Sequence, residues 1–187
     1  MLFARLALWL AVGATLAAAG PEYTGGGELK FPAKYREWIY LTSGFDMSYS
    51  PKAEAAGHSL FDNVFVNPEA YAAFLETGTW PDKTVMVLEV RGAEGRGSIN
   101  QRGHYQSSEV TALEVHVKNG GQWAFFSFDN KQSAKLIPAT ASCYSCHAGH
   151  AAVDTTFVQF YPTLLDIAKS KGTLSEAYRK EPPATVK

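Results

Sequence analysis

The chain has 187 residues and only two cysteines, spaced three apart in Cys143-Tyr144-Ser145-Cys146-His147. In a C-x-x-C-H run the two thiols can add to the two vinyl groups of a haem as thioethers. The adjacent histidine then lies under the iron as an axial ligand. Other chemistries fit less well. A redox disulfide of this spacing expects a βαβ context, and no such pattern precedes the motif. A structural zinc needs two more ligands; there is no further cysteine, and adding His150 to His147 leaves poor spacing. The motif reads as the attachment site of one covalent haem c.

An iron held by His147 poses the question of what faces it. His58, His104, His116, His150, Met47 and Met86 are the remaining donors of the usual axial types. Met86 shares a strand face with Leu88 and Val90 and reads as core. His116 shares one with Val110, Ala112 and Glu114, and the histidines read as loop or surface groups. None announces itself as a sixth ligand, so the position opposite His147 reads as open or holding weakly bound water. An open position suits small-molecule binding, and a filled one electron transfer. Aromatic residues make up 13% of the chain. Phe61, Phe65, Phe125, Phe157 and Phe160 among them could wall a haem as part of the core.

The elements that must position these groups follow from pattern. Pro32 opens a helical stretch over 32–41, ended by Ser43-Gly44. Residues 61–66 (FDNVFV) read as a short strand. Asn67 then caps a helix, Pro68 takes its first position, Glu69 its first turn, and Gly78 follows its end. Strands are expected over 84–91 (TVMVLEVR), 110–117 (VTALEVHV) and 123–128 (WAFFSF), with a loop over 92–103 and a hairpin turn at Asn119-Gly120-Gly121. Residues 156–172 read as helix, started afresh or kinked at Pro162. Strands flanked by helices at both ends predict an α+β fold with an antiparallel sheet.

Residues 1–19 (MLFARLALWLAVGATLAAA) have one basic residue, an apolar run and an A-x-A end, the layout of a secretory signal peptide. The run falls short of the ~20 residues that span a bilayer. The mature chain is expected to be exported, periplasmic and without a membrane span, which agrees with haem c attachment outside the cytoplasm. Residues 20–29 read as a flexible leader and 176–187 as a polar tail. The 17 basic and 18 acidic groups leave a net charge of −1. That balance offers no electrostatic footprint for nucleic acid. Two cysteines also exclude a disulfide-rich scaffold.

Several stretches together resemble the cytochrome P-460 family. They are SGFDM (43–47), FDNVFVNPEAYAAFLETGTWPD (61–82), LEVHVKN (113–119), WAFFSF (123–128) and CYSCHAGHAAVDTTFVQFYPTL (143–164), and the similarity spans about residues 30–175. The resemblance implies an antiparallel sheet with packed helices, usually as a homodimer, and a five-coordinate iron whose proximal histidine is His147. Some members oxidise hydroxylamine and carry a lysine joined to the porphyrin edge. The related cytochrome c′-beta lacks that bond and binds nitric oxide or carbon monoxide in a phenylalanine-capped pocket.

Two classes of function follow. One is an oxidoreductase acting on a small nitrogenous molecule such as hydroxylamine, or on nitric oxide, and passing electrons to a partner cytochrome. It needs a group that takes protons, and Glu89, Glu109 and Glu114 are the candidates. Burial in apolar strands would raise the carboxyl pKa of Glu89 or Glu114 and suit a general base. The other is a haem protein that binds a diatomic gas or carries electrons without turnover, which phenylalanines around Phe61 and Phe65 would favour. Lys83, in the Trp80-Pro81-Asp82 turn ahead of a strand, is the candidate for a bond to the haem edge. A desolvated site there would supply the neutral amine that the bond requires.

Overall fold

The computed structural model describes residues 20–48, 59–129 and 132–182. The signal-peptide reading and His58 lie outside them. The chain enters as a tight hairpin closed by hydrogen bonds from Lys30 N–H to Glu22 O and from Thr24 N–H to Glu28 O. Its end, Leu29–Lys30 (β1), pairs with the later strand Ser133–Ala134 (β7). This corrects the flexible-leader reading of 20–29: Leu29 is buried, and Tyr23 packs edge-on against Phe126.

A second departure follows. Residues 32–41 do not form a helix. A single 3-10 turn at Tyr35–Glu37 leads straight into the strand Ile39–Phe45 (β2). Aromatic and β-branched residues here find a pairing partner in Leu60–Val66 (β3), and sheet pairing overrides a weak helical pattern. Val85–Glu94 (β4), Tyr105–Asn119 (β5) and Gln122–Ser127 (β6) complete one antiparallel sheet of five strands in the order β2-β3-β4-β5-β6. β4 and β5 run longer than expected: β4 takes up the start of the stretch read as a loop over 92–103, and β5 begins just beyond its end. The hairpin between β5 and β6 turns on Gly120 and Gly121, both at positive φ (57° and 75°), as a tight two-residue turn demands.

Pro68–Thr77 (α1) links β3 to β4, with Gly78 in the left-handed conformation at its end. Asn67 stands at the cap position, yet its side chain serves the sheet: Oδ1 accepts the Val85 N–H at 2.8 Å. Beyond β7 come Ser142–His150 (α2), a 3-10 turn at Val158–Phe160, Leu165–Lys171 (α3) and Glu176–Arg179 (α4). The helix expected over 156–172 is thus broken around Pro162, and the tail holds a short helix.

Side chains alternate along strands, so the sheet has two unlike faces. One carries Val85, Val87, Val115, Val117 and Phe126, and packs under Leu29, Tyr35 and Phe128. The other carries Val66 and Met86, and packs under Trp80, Ala152, Val153, Val158 and Leu164. The described residues form an antiparallel α+β fold, as the strand and helix patterns predict.

Candidate functional site

Helical spacing puts residues i, i+3 and i+4 on one side of a helix, and α2 uses it for Cys143, Cys146 and His147. The helix is pinned to the sheet by Tyr144. Its ring stacks on Phe125 at 4.3 Å, and its hydroxyl accepts the Phe125 N–H at 3.1 Å. Between α2 and the second sheet face lies a cavity of about 590 Å³, lined by Cys143, Cys146, His147, Phe157 and Phe160 on one side. Thr42, Asp62, Val64, Leu88, Val90, Glu114 and His116 line it from the strands.

His147 is the most constrained of these groups. Its Nδ1 lies 2.8 Å from the Thr155 carbonyl oxygen. A carbonyl only accepts, so Nδ1 carries the proton and Nε2 keeps a lone pair. Phe157 (4.3 Å), Phe125 (4.8 Å) and His116 (5.0 Å) surround the imidazole ring. Burial pushes its pKa down, against a smaller upward pull from the Thr155 carbonyl, so the ring is neutral and fit to bind a metal. Both cysteines are free thiols. Two thiols, a neutral imidazole with a free nitrogen and a largely apolar cavity in the 300–1,000 Å³ range of cofactor sites fit a haem.

The expected acid–base residues separate sharply. Glu114 lies on the cavity wall. Burial first, and then the charge of Asp62, raise its pKa. Asp62, which pattern reading missed, lines the same wall, and burial followed by the charge of Asp46 raises it too. Its alternation with Val64 and Val66 on β3 was the available signal. Glu89, the other strand carboxylate proposed as a proton acceptor, is not on this wall: it projects from the other face of the sheet. There it pairs with Arg91 and Arg36 and accepts the Tyr35 hydroxyl. Burial alone would raise its pKa, but these partners together lower it, the reverse of what a base with a raised pKa needs. Glu109 is exposed inside β5, not at a strand start, and lies off the cavity.

Lys83 sits in the expected turn ahead of β4, but away from the cavity. It is exposed, holds a left-handed φ of 67°, and packs beside Gly20. Among the described residues no lysine lines the cavity. Phe61 and Phe65 are likewise absent from it: Phe65 packs on Tyr35 and Tyr40, and Phe61 on Phe45.

His116 is no surface group. It stacks on Phe125 at 4.0 Å, and burial, with a smaller contribution from His147, pushes its pKa down to about 3. Met86 pairs with it across the β4–β5 ladder and also lines the cavity. His104 stacks on Phe45, and His150 meets Glu181 at 2.5 Å, both away from it.

No curated protein matches the chain. The profile of one family, Cytochrome P460, matches residues 32–158, which takes in the whole five-stranded sheet and the C-x-x-C-H helix. A haem-ready cavity between that helix and that sheet agrees with it, and the chain belongs to the cytochrome P460 family.

Proposed function

We propose that the protein binds one haem c, covalently through Cys143 and Cys146, with His147 as its axial ligand. We further propose that it oxidises hydroxylamine or transforms nitric oxide at the opposite, open position. The observation that carries this is the convergence of both thiols, His147 and two carboxylates with raised pKa values on one cavity. The haem, when bound, supplies the redox-active iron. Glu114 takes up a proton as the substrate's N–H or O–H bonds are oxidised, and the electrons pass to an external acceptor such as a partner cytochrome. Asp62 raises the proton affinity of Glu114 through like-charge repulsion. The apolar groups Val64, Leu88, Phe157 and Phe160 limit water around the site.

The test uses purified, haem-loaded protein under anaerobic conditions with hydroxylamine and an electron acceptor. Acceptor reduction that depends on hydroxylamine supports the reading. So does its loss in Glu114→Gln, on the ~10²–10⁴-fold scale of a positioned proton acceptor, with the haem spectrum unchanged. Reversible binding of nitric oxide or carbon monoxide without turnover would select the gas-binding class instead. A low-spin spectrum with two protein axial ligands would select electron transfer.

A further inference from the structure

After α2 the chain makes a turn whose backbone conformation is unusual. Val153 and Thr156 exchange backbone hydrogen bonds across Asp154 and Thr155. Both central residues have positive φ, 47° and 58°, and neither is glycine. Turns of this shape favour Asn-Gly or Gly-Gly, and a β-branched residue at positive φ is a genuine outlier. The Thr155 hydroxyl oxygen is also buried without a hydrogen-bond partner. Such a conformation persists only where surrounding structure holds it, and it concentrates at functional sites.

The restraints are visible. Lys118, near the end of β5, forms an ion pair with Asp154, and its Nζ donates to the Trp80 carbonyl at 2.7 Å. The backbone of Lys118 is itself fixed, its N–H donating to Thr84 O at 2.9 Å. On the other side of the turn, Trp80 Nε1 donates to Thr156 Oγ1 at 2.8 Å, and that hydroxyl donates to Val153 O at 2.7 Å. The turn held in this way presents the Thr155 carbonyl to His147 Nδ1.

We propose that Lys118 and Asp154 are positioning residues for the iron ligand. Their ion pair locks the 154–155 turn, the turn aims the Thr155 carbonyl at His147 Nδ1, and that hydrogen bond sets how strongly the imidazole donates to iron. The proposal rests on the reading of His147 as the axial ligand of a bound haem. An acceptor on the far nitrogen raises the basicity of the ligating one. Stronger donation favours the ferric state and lowers the midpoint potential.

The test takes haem-loaded wild-type protein, Lys118→Met, Lys118→Arg and Asp154→Asn. Each is read by resonance Raman of the ferrous iron–histidine stretch and by potentiometric titration. Asparagine accepts the left-handed conformation, so Asp154→Asn leaves the turn able to form but removes the charge that locks it, and it stays readable even where Lys118→Met fails to fold. Lys118→Met and Asp154→Asn are expected to shift the stretch to lower frequency and the potential upward, with Lys118→Arg restoring both towards wild type. Asp154→Asn with the wild-type stretch and potential and only a lower melting temperature would overturn the proposal, because a purely structural clamp moves stability alone. Wild-type protein without a haem-attached mass, or without an iron–histidine stretch, would overturn the underlying haem reading instead.

Discussion

Glu89 and Glu114 sit on adjacent strands, but they project from opposite faces of the sheet and so have opposite chemistry. Glu89 is paired with buried Arg91 and with Arg36, which hold it ionised. Glu89→Gln would leave Arg91 buried without its counter-charge. It should cost about 3–5 kcal/mol, the range for breaking a buried pair from one side, read as a lower urea midpoint. Because the folded pKa of Glu89 lies below its unfolded value, its stabilisation is full at neutral pH. It is lost as pH falls through the carboxylate range towards the lowered folded value. Glu114 behaves the other way: its raised pKa makes its ionised form a burden on folding at neutral pH. Glu114→Gln should therefore leave stability equal or improved while it removes turnover. The acid limb of the pH–rate profile should lie above the ordinary carboxylate range and move down in Asp62→Asn, which removes the like charge; an unmoved limb would detach Asp62 from the proton step. The spacing of Cys143, Cys146 and His147 made them legible in the sequence, since covalent attachment needs that spacing and nothing else in the chain mimics it. Face parity for Glu89 was not legible from its own strand, because both faces of β4 are buried and apolar residues alternate with nothing polar enough to mark the solvent side.

At the scale of elements, α1 shows how a local signal and a tertiary one coincide. Pro68 and Gly78 bracket it as their backbone preferences require, and the pattern marks both ends. Gly78 has a φ of 74°, and a Cβ there would lie 2.7 Å from Lys171 Cβ and 2.9 Å from Thr173 Oγ1. Gly78→Ala should therefore lose ~1–2 kcal/mol for the left-handed conformation alone, and more for the overlap with Lys171 at the end of α3 and with Thr173 two residues beyond it. Thermal unfolding of the variant checks this, and a melting temperature equal to wild type would mean that the α1–α3 approach yields easily. The element that pattern reading mistook, 32–41, lacks such brackets: its apolar spacing fits a helix about as well as a strand, and only the presence of β3 as a partner decides. The same holds for the long β5, whose polar first residues (Tyr105-Gln106-Ser107-Ser108) carry no apolar stripe to announce a strand, although Tyr105 and Gln106 pair with the end of β4. The broken 156–172 helix differs again, since Pro162 signalled the break and the hydrogen bond from Leu164 N–H to Tyr161 O shows the chain turning there.

The whole molecule is layered so that its two cores differ in what they need. The core under β1, the 3-10 turn and β7 is filled by protein side chains alone: Val85, Val87, Val115 and Val117 meet Leu29, Tyr35 and Phe128. On the opposite face, α2 and the sheet border a cavity of about 590 Å³ rather than packing on each other throughout. Side chains facing a cavity give up dispersion contacts that a bound group would restore. A ligand that binds only the folded state adds its binding free energy to stability, and a covalent one cannot leave. The haem is therefore expected to stabilise the two layers unequally. In Cys143→Ala/Cys146→Ala protein, or in chain produced without haem-attachment machinery, amides in the middle of β4 and β5 should stay protected from hydrogen exchange. Those of α2 and the segment through Tyr161 should exchange much faster than in haem-loaded protein. The sheet keeps a complete core on one side, whereas α2 is held by a few polar contacts: Tyr144 with Phe125 and Ile137, His147 with the Thr155 carbonyl, and His150 with Gln159 and Glu181. The melting temperature should fall together with the loss of α2 protection. Equal protection of α2 with and without haem would mean that the C-x-x-C-H helix docks on protein contacts alone and that the cavity is preformed for its occupant.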